Sequence, residues 1–157
     1  MFGYNERLES FIVIEGIDGA GTSTQRSLLC QALQGTGKLV FDTWEPTEGP
    51  IGRLIRSALR AEISLSTQTI AHLFAADRCE HLEGANGIRT ALQSGKTVVC
   101  DRYILSSLAY QGMLLSTEAV WQLNQAFPLP ACLIFIDVDL IDGVLSTFIL
   151  SMLFYRR

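Results

Sequence analysis

The 157-residue sequence carries no excess of positive charge: 12 Lys and Arg stand against 16 Asp and Glu, for a net charge of -4. A duplex nucleic-acid partner, which needs a basic face, is therefore not expected. Paired cysteines are lacking as well. Cys30, Cys79, Cys100 and Cys132 are scattered, with no C-x-x-C pair and no histidine arrangement nearby. This spacing fits neither a zinc site nor a secreted disulfide framework, and points to reduced cytosolic thiols. The opening "MFGYNERLES" has no basic region followed by an apolar stretch, so a signal peptide is not expected and a cytoplasmic protein is. No internal repeat or low-complexity linker divides the chain, and a single domain over 1–157 is expected. Charge is absent from "GVLSTFILSMLFYRR" (143–157) until its last two arginines. That run falls short of the ~20 apolar residues that span a bilayer, so a buried or misassembled helix is expected there rather than a membrane anchor.

Short apolar runs alternate with helical patterns. "SFIVIEG" (10–16), "KLVFDTW" (38–44), "TVVCD" (97–101) and "CLIFIDVD" (132–139) have the length and β-branched content of buried strands. Helical spacing predicts helices over 22–34, from Pro50 through "PIGRLIRSALRAE", over about 66–93 with a break near "EGANG", over about 104–112, and over 116–127 with Ser116 and Thr117 as caps. Wholly apolar strands separated by helices imply a three-layer α/β fold, a parallel sheet covered on both faces, with ligands at the carboxyl ends of its strands.

Gly16-Ile17-Asp18-Gly19-Ala20-Gly21-Thr22-Ser23 matches the phosphate-loop pattern G-x-x-x-x-G-K-[ST] at every fixed position but one. Glycines there let successive N–H groups turn inward as an anion nest, at the positive end of the following helix. Ser23 is placed to offer its hydroxyl to Mg²⁺. Thr22 stands where the pattern has lysine, and a short neutral donor is unable to follow a migrating phosphoryl group. Binding is expected to survive; fast transfer does not follow. Arg26, one turn further on, is expected to point away from the loop mouth.

With "EGIDGAG", the stretches "EPTEGPIGRLIR" (45–56), "LFAADRCEH" (73–81), "DRYILSSLAYQG" (101–112) and "FPLPACLIFIDVD" (127–139) closely resemble, in order, the thymidylate kinases among the P-loop nucleoside monophosphate kinases. The resemblance covers about 11–139 and implies a P-loop NTPase fold, ATP as donor, dTMP as acceptor, Mg²⁺ as cofactor, and a homodimer formed through helices near 50–94. By resemblance Phe74 stacks on thymine and Arg78 contacts its exocyclic oxygen. Four apart, they share a helix face; taken alone, Phe74 reads as core and Arg78 as a surface partner of Glu80 or Asp77. Asp101 is implied as a Mg²⁺-linked carboxylate near Ser23, and Arg102 as ligand to the dTMP phosphate and the transferring group; without the family they are a structural pair ending a strand. Ser107 is implied at the pyrimidine edge and Tyr110 against the deoxyribose, with Gln111 joining them, Asp18 facing the acceptor sugar and phosphate, and Glu45 and Pro46 shaping the acceptor phosphate site.

Three departures accompany the match. Thr22 replaces lysine, Trp44 stands where bacterial relatives commonly have arginine, and 140–157 matches neither the arginine-bearing lid nor the last strand and helix of the family. The expectation is thus a truncated or frame-shifted fold with last strand and lid missing. Its function is expected to be thymidylate kinase activity or, alternatively, nucleotide binding with impaired catalysis.

Overall fold

The computed structural model describes residues 6–141 and 144–153. Its sheet has five strands in the order β2-β3-β1-β4-β5. These are β1 (Arg7–Gly16), β2 (Val40–Trp44), β3 (Thr97–Asp101), β4 (Leu129–Ile141) and β5 (Val144–Leu153). The first four pair in parallel, as expected for apolar strands joined through helices. Six helices intervene: α1 (Thr22–Gly35), α2 (Pro50–Leu59), α3 (Thr67–Glu83), α4 (Ile88–Gln93), α5 (Ile104–Leu114) and α6 (Thr117–Asn124). The long helical stretch over 66–93 does break within "EGANG", between α3 and α4. A Cβ on Gly84 would come within 2.6 Å of the Glu80 carbonyl oxygen, and one on Gly87 within 2.6 Å of the His81 carbonyl oxygen. Ser116 caps α6 by accepting from the Ala119 N–H.

Period-two alternation divides the core between the two faces of the sheet. Phe11, Val13, Val98 and Cys100 face Leu82, Ile88, Ala91 and Ile104 of α3, α4 and α5. Ile14, Val99, Ile134 and Ile136 face the other way, onto Ala20, Cys30 and the flanking Leu29 and Leu33 of α1. All four cysteines are free, and burial raises the Cys30 thiol to about 11, so it stays protonated at neutral pH.

The tail corrects one expectation. Residues 144–153 form a strand rather than a helix, antiparallel to β4 with Ile141 opposite Val144 and Leu133 opposite Leu153, and the parallel part of the sheet stops at four strands. The open edge of β4 offers unpaired N–H and C=O groups, and two intervening residues are too few for the crossover that a parallel partner requires. Residues 1–5, the start of "MFGYNERLES", and Arg156 and Arg157 lie outside the described residues. No helix among the described residues is long and apolar enough to cross a membrane.

Candidate active site

The carboxyl ends of β1, β2 and β3 come level: Ile14 and Trp44 both pair with Asp101, and Gly16 pairs with Ile136 of β4. The glycine loop leaves this edge. Gly19 and Gly21 have φ of +83° and +84°, a left-handed conformation that disfavours other residues. A Cβ on Gly16 would sit 3.0 Å from both the Ile136 carbonyl oxygen and the Thr22 Cγ2. No side chain caps the start of α1, so its first N–H groups face the loop mouth with their partial positive charge available to an anion. Thr22 is buried, with its methyl turned toward Gly16; the loop itself carries no cation.

Ser23 donates to Asp101 Oδ2 at 2.6 Å, which leaves the hydroxyl lone pairs free to coordinate. Asp101 is only 5% exposed, and its Oδ1 has no hydrogen-bond partner. A buried carboxylate oxygen without a donor is costly unless a ligand meets it. No group of three His, Cys, Asp or Glu able to hold a metal occurs among the described residues. A cation at Ser23 and Asp101 must therefore take most of its ligands from waters and phosphate oxygens, which is how Mg²⁺ binds. The residues present fit that ion.

Arg102 follows Asp101 with φ of 70°, a strained conformation for a non-glycine residue that tends to mark functional positions. The turn aims its side chain back across the loop: Nη1 donates to the Gly16 carbonyl and to Ser106 Oγ at 3.1 Å each, and Nη2 to Asp18 Oδ1 at 2.6 Å. The guanidinium carbon lies 5.5 Å from the Tyr110 ring centroid. Asp18, Arg102 and Tyr110 thus stand together, joining the loop to a cavity of about 210 Å³ lined also by Glu45, Pro46, Phe74, Arg78, Ser107 and Gln111. All the substrate-site candidates from the sequence line this one space.

Its floor is a buried polar network. Arg78 is 1% exposed, which removes the surface-pair reading. Its Nε donates to Glu45 Oε2 at 2.9 Å and its Nη2 lies 2.8 Å from the same oxygen. Nη2 also donates to the Tyr103 carbonyl at 3.0 Å and Ser107 Oγ at 3.1 Å, while Nη1 donates to Asn124 Oδ1. Of the five guanidinium N–H groups, one on Nη1 is left for a ligand. The other Glu45 oxygen accepts from His81 Nδ1 at 3.1 Å, and Thr43 Oγ1 lies 2.7 Å from His81 Nε2. Glu45 therefore has both carboxylate oxygens committed, one to Arg78 and one to His81. Gln111 Oε1 is buried without a partner, an acceptor awaiting a donor.

Several of these residues carry no signal in the sequence. His81 and Asn124 become partners only through folding. Glu15 is buried at the end of β1 and accepts from the Tyr103 N–H at 2.9 Å, the Ser106 N–H at 3.3 Å and Ser106 Oγ at 2.6 Å, which fixes the start of α5 against the loop. Burial raises its pKa, against those hydrogen bonds and the nearby Arg102 charge. Asp77 accepts from Thr47 N and Oγ1 at 2.7 Å each, and Arg56 donates to the Pro46 and Thr47 carbonyls at 2.7 and 2.6 Å; together they fasten the turn after β2. Arg26 departs from expectation. It points toward the site, because Asp42, Trp44 and Asp101 all present themselves on the α1 face of the sheet: its guanidinium carbon lies 4.6 Å from the Trp44 ring centroid and its Nη1 lies 3.9 Å from Asp101 Oδ2.

The family model "Thymidylate kinase" matches residues 14–144. A Treponema pallidum protein is 50% identical over 133 residues, covering 85% of this chain and 64% of that protein. The thymidylate kinase of Desulfotalea psychrophila is 39% identical over 133 residues, covering 84% and 65%. The chain thus spans a little under two thirds of both relatives. The crystal structure of thymidylate kinase from Ehrlichia chaffeensis superposes with a TM-score of 0.69 at 33% identity, over 82% of this chain and 72% of that one. A loop, a strand-end carboxylate and a base-sized cavity in this arrangement agree with those likenesses, and the chain belongs to the thymidylate kinase family.

Proposed function

We propose that the chain is a thymidylate kinase, transferring a phosphoryl group from ATP to dTMP to give ADP and dTDP in the supply of dTTP. The observation that carries this reading is the cavity holding Phe74, Arg78, Ser107, Tyr110 and Gln111, opening through Arg102 onto the phosphate loop. Phe74 stacks on the base. The open Arg78 N–H donates to a ring carbonyl, and Gln111 Oε1 accepts from the adjacent ring N–H. This donor–acceptor order suits thymine and uracil and mismatches cytosine. Tyr110 lies against the sugar, where its bulk leaves little room for a 2′-hydroxyl.

Asp18 and Arg102 stand between base cavity and loop, so the acceptor phosphate meets the donor there. The acceptor oxygen is already anionic at neutral pH, so no general base is required. It attacks the γ-phosphorus as the bond to the ADP oxygen breaks, and catalysis is positioning plus charge neutralisation. N–H groups of Gly16–Ser23 cradle the donor phosphates. Ser23 and Asp101 would hold Mg²⁺, which would supply neutralising charge at the phosphates. Arg102 supplies the rest from the protein side. A homodimer and a cytoplasmic place of action go with this reading; exposed Leu54, Leu59 and Ile63 along and after α2 support an apolar contact between copies.

The alternative, a nucleotide binder with impaired transfer, is favoured by one observation: Thr22 leaves the loop without a cation. Both readings are tested by ADP release from ATP and Mg²⁺ with dTMP, UMP, CMP or AMP, for this chain and for Thr22→Lys. Stimulation by dTMP in the unaltered chain establishes the kinase. Stimulation only in Thr22→Lys establishes the binder, and preference for another monophosphate overturns the acceptor assignment.

A further inference from the structure

The phosphate side of the site contains a cation that the proposed reaction leaves without a task. Arg26 lies three residues beyond Ser23 on α1, so the two share a face. Its guanidinium is oriented from three sides: by the Trp44 ring at 4.6 Å, by Asp42, whose Oδ1 lies 2.7 Å from Nε, and by Asp101, whose Oδ2 lies 3.9 Å from Nη1. The Nε contact is an ion pair without the alignment of a hydrogen bond. The side chain is 15% exposed. It lines a second cavity with Ser23, Trp44, Arg56, Asp101 and Arg102, and this cavity shares Glu45, Pro46, Leu59 and Arg102 with the lining of the base cavity.

Three arginines line that second cavity, and they differ in what their donors do. Arg102 donates to Gly16, Asp18 and Ser106. Arg56 donates to Pro46 and Thr47 and pairs with Glu48 at 2.9 Å. Neither terminal nitrogen of Arg26 donates a hydrogen bond to any described residue. Stacking covers a guanidinium's face and leaves its N–H edge open, which is the edge that grips a phosphate. The unpartnered Asp101 Oδ1 beside it marks the same space as one built for a ligand.

We propose that Arg26, oriented by Trp44, is a ligand for a nucleotide phosphate oxygen in this cavity and supplies there the positive charge that Thr22 does not carry. The proposal rests on the nucleotide reading of the site and names one ligand within it. The phosphate is either that of the acceptor or the terminal one of the donor; both have the same chemistry and both reach the edge where Ser23, Asp101 and Arg102 meet. The competing account makes Arg26 a tether between α1 and β2 through Asp42.

Thermal unfolding separates the two accounts. The unaltered chain, Arg26→Gln, Arg26→Lys and Asp42→Asn are each heated alone, with Mg²⁺ and tripolyphosphate, with dTMP or thymidine, and with ATP or ADP. For a phosphate ligand, Arg26→Gln binds tripolyphosphate ~10–100-fold more weakly, the effect of losing a charge-assisted hydrogen bond, and Arg26→Lys recovers part of the loss. Asp42→Asn keeps the response, and thymidine stabilises every variant equally. Shrinkage of the dTMP-over-thymidine increment assigns the acceptor phosphate, and of the ATP-over-ADP increment the donor phosphate. If Arg26→Gln and Asp42→Asn lower the ligand-free midpoint alike and leave all increments intact, the tether account holds and the proposal is overturned. It is equally overturned if tripolyphosphate fails to stabilise the unaltered chain. A chain that answers tripolyphosphate through Arg26 yet ignores dTMP upholds the subsite and removes the dTMP assignment instead. Should Arg26→Gln not fold, Trp44→Leu keeps the guanidinium and removes its stacking face; an undiminished tripolyphosphate response in that variant counts against the proposal.

Discussion

The base cavity and the phosphate cavity share a wall but are built differently. On the base side, a charged pair is almost wholly buried: Arg78 is held by Glu45, Asn124, Ser107 and the Tyr103 carbonyl with one N–H left open, and Glu45 is braced by His81. On the phosphate side, the loop carries no cation, Asp101 has an open oxygen, and Arg26 has open donors. A flat neutral base needs fixed donors and acceptors in advance. A polyanion with its cation brings its own charges and completes the set on arrival. The first cavity therefore keeps open only the groups that read the base, one Arg78 N–H and Gln111 Oε1, and the second is left with unmet charges that a ligand satisfies.

The largest expected effect breaks the base side. Glu45→Ala strands the Arg78 charge in the interior, and removing one partner of a buried pair costs about 3–5 kcal/mol; chemical denaturation measures it, and a loss below about 1 kcal/mol would mean that solvent reaches Arg78. Next comes the phosphate side. Thr22→Lys adds a mobile cation to the loop; a loop with no substitute charge gains ~10²–10³-fold in dTMP-dependent ADP release, and with Arg26 supplying part of that charge the expected rise is smaller. An unchanged rate would mean that charge at Thr22 is already replaced from elsewhere, with Arg26 and Arg102 the residues to remove.

Smaller effects sharpen the contrast. Phe74→Ala removes a stacking face worth roughly 1–3 kcal/mol per base, so dTMP affinity falls ~10-fold or more while the response to tripolyphosphate is unchanged. The smallest is a pH effect. Glu15 has its pKa raised by burial, so between its unfolded value and that raised value the folded state binds more protons than the unfolded state. Stability from this group is complete below the unfolded pKa and is lost as pH rises through the folded one. Glu15→Gln keeps an acceptor for the start of α5 and is expected to flatten that part of the stability–pH curve; a slope unchanged by the substitution would assign it to other groups.

Much of this was legible in the residues. Apolar strands, glycines and proline after "EPTEG" predict the parallel sheet, the loop and α2, because local pattern and burial agree there. The site candidates converge because all follow strand ends, which a parallel sheet aligns. The tail was misread because an uncharged run without clear alternation suits a helix or a strand, and only the open edge of β4 decides between them. Arg26 was misread because its direction depends on Asp42 and Trp44, residues distant in sequence that share its face only once β2 is paired. The Glu45–His81–Arg78 network is a contact between the end of β2 and α3, invisible to any pattern within either.

The alternation of β2 has one more consequence. Val40, Asp42 and Trp44 belong to the α1 side, Phe41 and Thr43 to the other. This edge strand, paired with β3, deals its residues in turn to the two faces of the sheet, Trp44 toward Arg26 and Thr43 toward His81. Its parity is therefore shared information: inserting a single residue between Asp42 and Thr43 would carry Trp44 across the sheet, exchange the neighbours of Arg26 with those of His81, and mis-set both halves of the site at once, with every side chain still present.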